Sequence, residues 1–267
     1  MNLKYCILCA ASALAIISPA TAQQTTPNEL VINLNLPDGT HQRVLYATPS
    51  HPQATLVMLP GGAGELGLRR DGDIRHDDNF VVRTRSLWVA RDYAVLIPDT
   101  IDHENLRGLR SSADYAAIVA ALVQLARTKA AVPVFLLGTS QGSIAAMNGA
   151  AHARPNTIAG VILTESVSRL GHSGETVFDA DPQDVRVPAL VVANDDDQCD
   201  VAPPQDAPRI AAAMSHSPDV RLIHVSGGID KSARACGSLS PHGYYGVEPQ
   251  VIGAISAWIG THIPARP

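Results

Sequence analysis

The chain has 267 residues, of which 46% are apolar and 17% charged. That length and balance supply a sizeable core and exclude a disordered or fibrous polymer. A formal net charge of −5 with no basic run excludes the electrostatic footprint of a nucleic-acid binder.

Residues 1–22 read as an export signal. Lys4 supplies the positive start, and Tyr5 to Ile17 form an apolar core shorter than the ~20 residues of a membrane span. Ser18-Pro19 breaks that core, and Ala20-Thr21-Ala22 is an A-x-A cleavage site. The mature chain, residues 23–267, is expected in the periplasm or outside the cell as one catalytic domain without a membrane span. Cys6 and Cys9 leave with the signal. Cys199 and Cys236 remain, an even pair in an oxidising compartment, and are expected to form a disulfide.

Glu29 to Leu36 and His41 to Ala47 alternate apolar and polar residues around Pro37-Asp38-Gly39, which predicts a β-hairpin at a sheet edge. Ala54 to Leu59 is a continuous apolar run, as in a strand covered on both faces. A glycine-rich loop and a polar stretch, Arg69 to Asn79, lead to an expected helix from Phe80 to Arg91, with Trp88 in the core. Tyr93 to Ile97 is the next strand. Ser111 and Ser112 are placed to cap a helix running to about Lys129. Further strands are expected at Val134–Leu137, Gly160–Leu163, Ala189–Ala193 and Val220–Val225. Helices are expected at Ile144–Ala151, Pro208–Met214 and Val251–Ile259. Glu165 to Arg186 is too short and polar for a large lid. Strands alternating with helices at this spacing mean an α/β architecture, a mostly parallel sheet with helices on both faces.

Gly138-Thr139-Ser140-Gln141-Gly142 is a G-x-S-x-G pattern between an apolar strand and a helix of small residues. That turn lifts a serine hydroxyl clear of the backbone. A serine hydroxyl needs a base to take its proton and an acid to orient that base. In this class of sheet they follow in the order serine, acid, histidine. His242, in the glycine-rich loop before the last helix, is the expected base. Asp197, just past a strand end, is the expected acid, with Asp196 the main alternative and Glu165 a weaker one. The acidic cluster lacks nearby histidine ligands at metal spacing, so no metal is expected. Backbone N–H groups of Gln141 and of Gly62 or Ala63 are the expected oxyanion donors. Gly62-Ala-Gly-Glu-Leu-Gly67 is a literal G-x-G-x-x-G, but poor helix sequence follows it, so no dinucleotide cofactor is expected.

Leu59-Pro-Gly-Gly-Ala-Gly64, Asn79-Phe-Val-Val-Arg-Thr-Arg85, Gly138-Thr-Ser-Gln-Gly142, Asp197-Gln-Cys199 and His242-Gly-Tyr-Tyr-Gly246 together resemble the α/β-hydrolase superfamily. The likeness is to a secreted, lid-poor branch distantly similar to the dienelactone hydrolase group. It implies a sheet of roughly eight strands and acyl-enzyme hydrolysis by Ser140, Asp197 and His242. Leu59-Pro60 replaces the His-Gly of many such proteins, so the oxyanion loop is expected to differ in shape. The expected substrate is a small ester, with an amide as the alternative. A non-catalytic binding protein on the same fold is the reading from another class. Arg69, Arg70, Arg107 and Arg110 are candidates for meeting an anionic acyl group, against the plainer role of solvated rim charges.

Overall fold

A hairpin of β1 (Asn28–Asn35) and β2 (His41–Thr48) opens the sheet, paired antiparallel in register from Asn28↔Thr48 to Asn35↔His41. The computed structural model describes Met1, residues 28–36 and residues 38–263. The expected export signal, its cleavage site and Pro37 of the first turn lie outside the described residues, Met1 apart.

Six further strands complete the sheet: β3 (Ala54–Leu59), β4 (Tyr93–Pro98), β5 (Val134–Thr139), β6 (Gly160–Thr164), β7 (Ala189–Asn194) and β8 (Val220–Val225). Their order is β1-β2-β4-β3-β5-β6-β7-β8. Strands β3 to β8 pair parallel, and β2 joins β4 antiparallel. The apolar runs at β3, β4, β5 and β7 are buried at every position, as strands covered on both faces must be.

Helices α3 (Ala113–Lys129), α4 (Gly142–Ala151) and α5 (Ala207–Ala213) pack on one face. Leu122, Ile144, Met147 and Ile210 belong there to one buried core with Val57 and Leu59 of β3. The other face carries α1 (Phe80–Arg83), α2 (Arg85–Val89) and α6 (Glu248–Gly260), with Phe80, Trp88, Ile252 and Ile255 in one buried core with Leu56 and Met58. Alternate residues of β3 thus serve opposite cores. Each fully buried Leu or Ile contributes about 2 kcal/mol, so the sheet is a stiff frame for the loops that leave it.

The single helix expected over 80–91 is two short helices. Thr84 lies between them, and its hydroxyl donates to the Phe80 carbonyl oxygen at 2.6 Å. A β-branched residue that bonds back to the preceding turn bends the backbone there. Ser112 caps α3 by accepting from the Tyr115 N–H. Residues 165–186 hold two short 3-10 turns and no separate lid.

The strand order creates one crevice. From β3 the chain moves to β4 on one side, then returns to β5 on the other. Where strand order reverses, the loops leaving the carboxyl ends part and open a ligand site. The loops that part here are the glycine-rich stretch after β3 and the serine turn after β5.

Candidate active site

Ser140 sits on that turn with φ 52°, in the left-handed region that L-residues rarely enter. Close packing holds it there. A Cβ on Gly138 would overlap the Gly142 carbonyl oxygen, and one on Gly142 would overlap the Leu59 carbonyl oxygen. The two glycines of the pattern therefore let α4 begin against the ends of β5 and β3. The Ser140 N–H donates to the Thr164 carbonyl oxygen at 2.9 Å, fixing the turn to β6.

His242 comes from a 3-10 turn, Pro241–Gly243, capped by Ser240. Its Nε2 lies 2.9 Å from Ser140 Oγ, and its Nδ1 lies 2.7 Å from Asp197 Oδ2. The His242 and Asp197 side chains are 4% and 0% exposed, so their contact is shielded from water. Asp197 Oδ1 accepts the Cys199 N–H at 2.8 Å. Asp196 turns away and accepts the Gly227 N–H instead. Of the acids open from sequence, Asp197 is the one paired with His242.

The glycine-rich loop reaches the same place. An ideal Cβ on Gly61 would stand 3.1 Å from Ser140 Cβ and 3.7 Å from Ser140 Oγ. Among the described residues, the N–H groups of Gly62, Ala63 and Gln141 are not spent on any hydrogen bond within the protein.

Solved structures with the same architecture include several hydrolases. A dienelactone hydrolase from Anabaena variabilis matches with a TM-score of 0.61 at 17% identity, over 89% of this chain and 99% of that one. A serine hydrolase without a lid from Xanthomonas campestris matches with a TM-score of 0.61 at 14% identity, over 90% and 97%. An esterase from Pyrococcus furiosus matches with a TM-score of 0.63 at 10% identity, over 89% and 92%. The chain has the α/β-hydrolase fold. No family model and no curated protein matches the sequence.

Within this α/β-hydrolase fold, Arg110 departs from its expected place. It is 1% exposed, not on the rim. Its guanidinium donates to the Gly62 carbonyl oxygen at 2.9 Å, the Pro60 carbonyl oxygen at 3.3 Å and Gln141 Oε1 at 3.3 Å. One buried cation thus ties the glycine-rich loop to the residue after the serine, and its head is sealed from an incoming anion. Burial holds its pKa below the usual arginine value. The loop carrying it is anchored in turn by Glu175, which accepts from the N–H groups of Gly108, Arg110 and Ser111. The other three arginines are different. Arg69 pairs with Asp73 at 3.2 Å in the open, Arg107 bonds Asn105, and Arg70 lines a separate polar cleft beside β1 and β2.

The acid and histidine loops are held to each other by Asn194 and Arg83, to which the sequence reading gave no role, and by the expected disulfide. Asn194 donates to the carbonyl oxygens of Gly227 at 2.9 Å and Pro241 at 3.0 Å. Arg83 donates to the Gly243 carbonyl oxygen and pairs with Glu248 at 2.9 Å, bracing the histidine turn from α1. The Cys199–Cys236 disulfide joins the same two loops across 37 residues of sequence.

Two groups of ligand-type side chains converge among the described residues. In Cys199, Asp200 and Cys236 both sulfurs are spent on the disulfide. In Glu165, Asp197 and His242 the acid and the imidazole already bond one another. The G-x-G-x-x-G stretch opens no helix; α1 begins only at Phe80.

Proposed function

We propose that the protein is a serine hydrolase that cleaves a carboxylic ester through an acyl-enzyme on Ser140. One observation carries this reading: the unbroken contact Ser140 Oγ–His242–Asp197 at the β3/β5 crossover. His242 Nε2 takes the hydroxyl proton as Oγ bonds to the ester carbonyl carbon. Asp197 holds the imidazole in the tautomer with Nδ1–H and stabilises the imidazolium that forms. The carbonyl oxygen, now negative, meets the unspent N–H of Gln141 and those of Gly62 or Ala63. The alcohol leaves with the proton from His242. Water then repeats the sequence, bonding to the acyl carbon and releasing the acid and free Ser140.

Large apolar side chains stay exposed at Leu109, Leu170 and Ile229, in loops that leave β4, β6 and β8 at the same end of the sheet as Ser140. They favour an ester with an apolar acyl body. With nitrophenyl esters, a pre-steady-state burst near one equivalent per chain is expected, with KM falling from acetate to hexanoate. Absence of turnover for every ester by folded chain would overturn the reading. Matched amides, run in parallel, are expected to turn over far more slowly.

Residues 1–22 are proposed to direct export, with the mature chain working in the periplasm or beyond. Among the described residues no helix is long and apolar enough to cross a membrane. The disulfide fits an oxidising compartment. Closing a loop of this length contributes about 4 kcal/mol in the chain-entropy account. Its bridge spans loops and not strands, so reduction is expected to lower activity at reductant levels that leave the sheet folded. Ester turnover and far-ultraviolet circular dichroism, read across one reductant titration, check this. Coincident loss of both would contradict it.

A further inference from the structure

Glu165 is a buried acid that the serine chemistry leaves unused. It follows the last residue of β6, holds φ 44° and is 1% exposed. Its Oε1 accepts the Asn194 N–H at 2.7 Å. Oε2 is also buried, and among the described residues no N–H or O–H group donates to it. It is not remote from the site. An oxygen of Glu165, an oxygen of Asp197 and a ring nitrogen of His242 all lie within 4.8 Å of one another.

Two carboxyl groups this close in a water-free site do not both ionise; one proton stays between them. Burial first, and then the charge of Asp197, holds the Glu165 carboxyl well above the usual range. The bonding pattern decides where the charge rests. Asp197 receives two donors, the Cys199 N–H and His242 Nδ1–H, whereas Glu165 receives the Asn194 N–H. The charge therefore stays on Asp197 and the proton on Glu165. The Tyr244 hydroxyl also lies against Glu165, but it gives its proton to the Val192 carbonyl oxygen at 3.1 Å. The anionic Asp197 is a stronger acceptor for the Glu165 proton than that phenol oxygen.

We propose that Glu165 is a positioning residue: protonated, it donates from Oε2 to the Asp197 carboxylate and holds that carboxylate on His242. The unfilled Oε2 is then the donor end of a bond between two acids. This role rests on the serine-hydrolase reading, but the protonation itself does not. The titratable groups facing Glu165 are Asp197 from the loop after β7, and His242 and Tyr244 from the loop before α6. Ionisation of Glu165 at high pH would put two negative charges side by side and release Asp197 from its place.

Glu165→Gln is the informative variant. Its amide oxygen can accept from Asn194 and its NH2 can donate to Asp197, so the donor survives without the titration. Relative to wild type, it is expected to keep kcat within about threefold and to lose the alkaline fall in rate. Glu165→Ala is expected to lower kcat by about 10- to 100-fold with KM little changed. Equal loss in both variants, with the fold intact, would overturn the donor role.

Stability gives a readout independent of catalysis. Native Glu165 keeps a proton that the unfolded chain gives up, so wild type loses stability as pH rises above the ordinary carboxyl range. Glu165→Gln should therefore melt higher than wild type at about pH 8, with the gap closing toward about pH 4. If it melts no higher at the upper pH, Glu165 is ionised and the proposal is wrong. That arm needs no turnover, so it stands or falls apart from the Ser140 mechanism. It also decides the matter if Glu165→Ala fails to fold.

Discussion

Replacing Ser140 with alanine is expected to lower ester turnover by about five orders of magnitude while leaving the melting temperature within a few degrees of wild type. The expected size follows from what the hydroxyl does. Without Oγ no acyl-enzyme forms, and the unspent N–H groups of Gln141, Gly62 and Ala63 can only polarise the ester for attack by water. The fold is spared because Ser140 Oγ makes its contact to His242 and bears no part of the core. Alanine inherits the strained φ of 52° along with the backbone that already enforces it. Steady-state rates beside a thermal melt check both halves. Turnover within tenfold of wild type would remove Ser140 from the chemistry.

Asp197→Asn carries the second-largest expected effect, a fall in kcat of about four orders of magnitude. An asparagine in the same place can offer its NH2 to Nδ1. The ring then turns to the other tautomer, with Nε2 protonated and unable to accept from Ser140. The neutral side chain also cannot stabilise an imidazolium inside a site where the carboxylate is fully buried. Asp196→Asn is the matched control. Asp196 accepts the Gly227 N–H, not a histidine, so its variant should stay within about threefold. Equal kinetics in the two variants would reassign the acid.

The contrast between these neighbours marks where sequence reading stops. Apolar runs and their spacing gave the sheet, since a strand buried on both faces has no other pattern available. The serine turn was legible for a steric reason: Gly138 and Gly142 stand where a Cβ would overlap main-chain oxygens. His242 followed from chain order and a glycine-rich loop. Separating Asp197 from Asp196 depended on a turn that two identical letters do not encode. The Asp197 N–H bonds back to the Asn194 carbonyl oxygen at 2.9 Å, which swings Asp197 inward and leaves Asp196 out.

Arg110 was read toward the rim, and Glu165 only as a weaker candidate for the triad acid, because the partners that bury them lie far off in sequence. Charge is a good indicator of exposure until tertiary structure supplies acceptors or a shared proton. Arg110 finds three acceptors where two loops converge on α4. Glu165 follows a short strand, with Asn194 at the end of β7 and Asp197 in the loop after it brought over it. Neither partner set is near in sequence. The break of the expected 80–91 helix at Thr84 is local and could have been anticipated from a hydroxyl placed four residues after a buried Phe80.

The central claim is that Ser140 is the nucleophile, and a fluorophosphonate tests it without knowledge of the natural ester. Its phosphorus should bond to Ser140 Oγ with loss of fluoride, giving one adduct per folded chain by intact mass. Peptide mapping should place that adduct on Ser140, and Ser140→Ala should remain unlabelled. A folded wild-type chain that takes up no probe, or labels equally well as Ser140→Ala, would contradict the account.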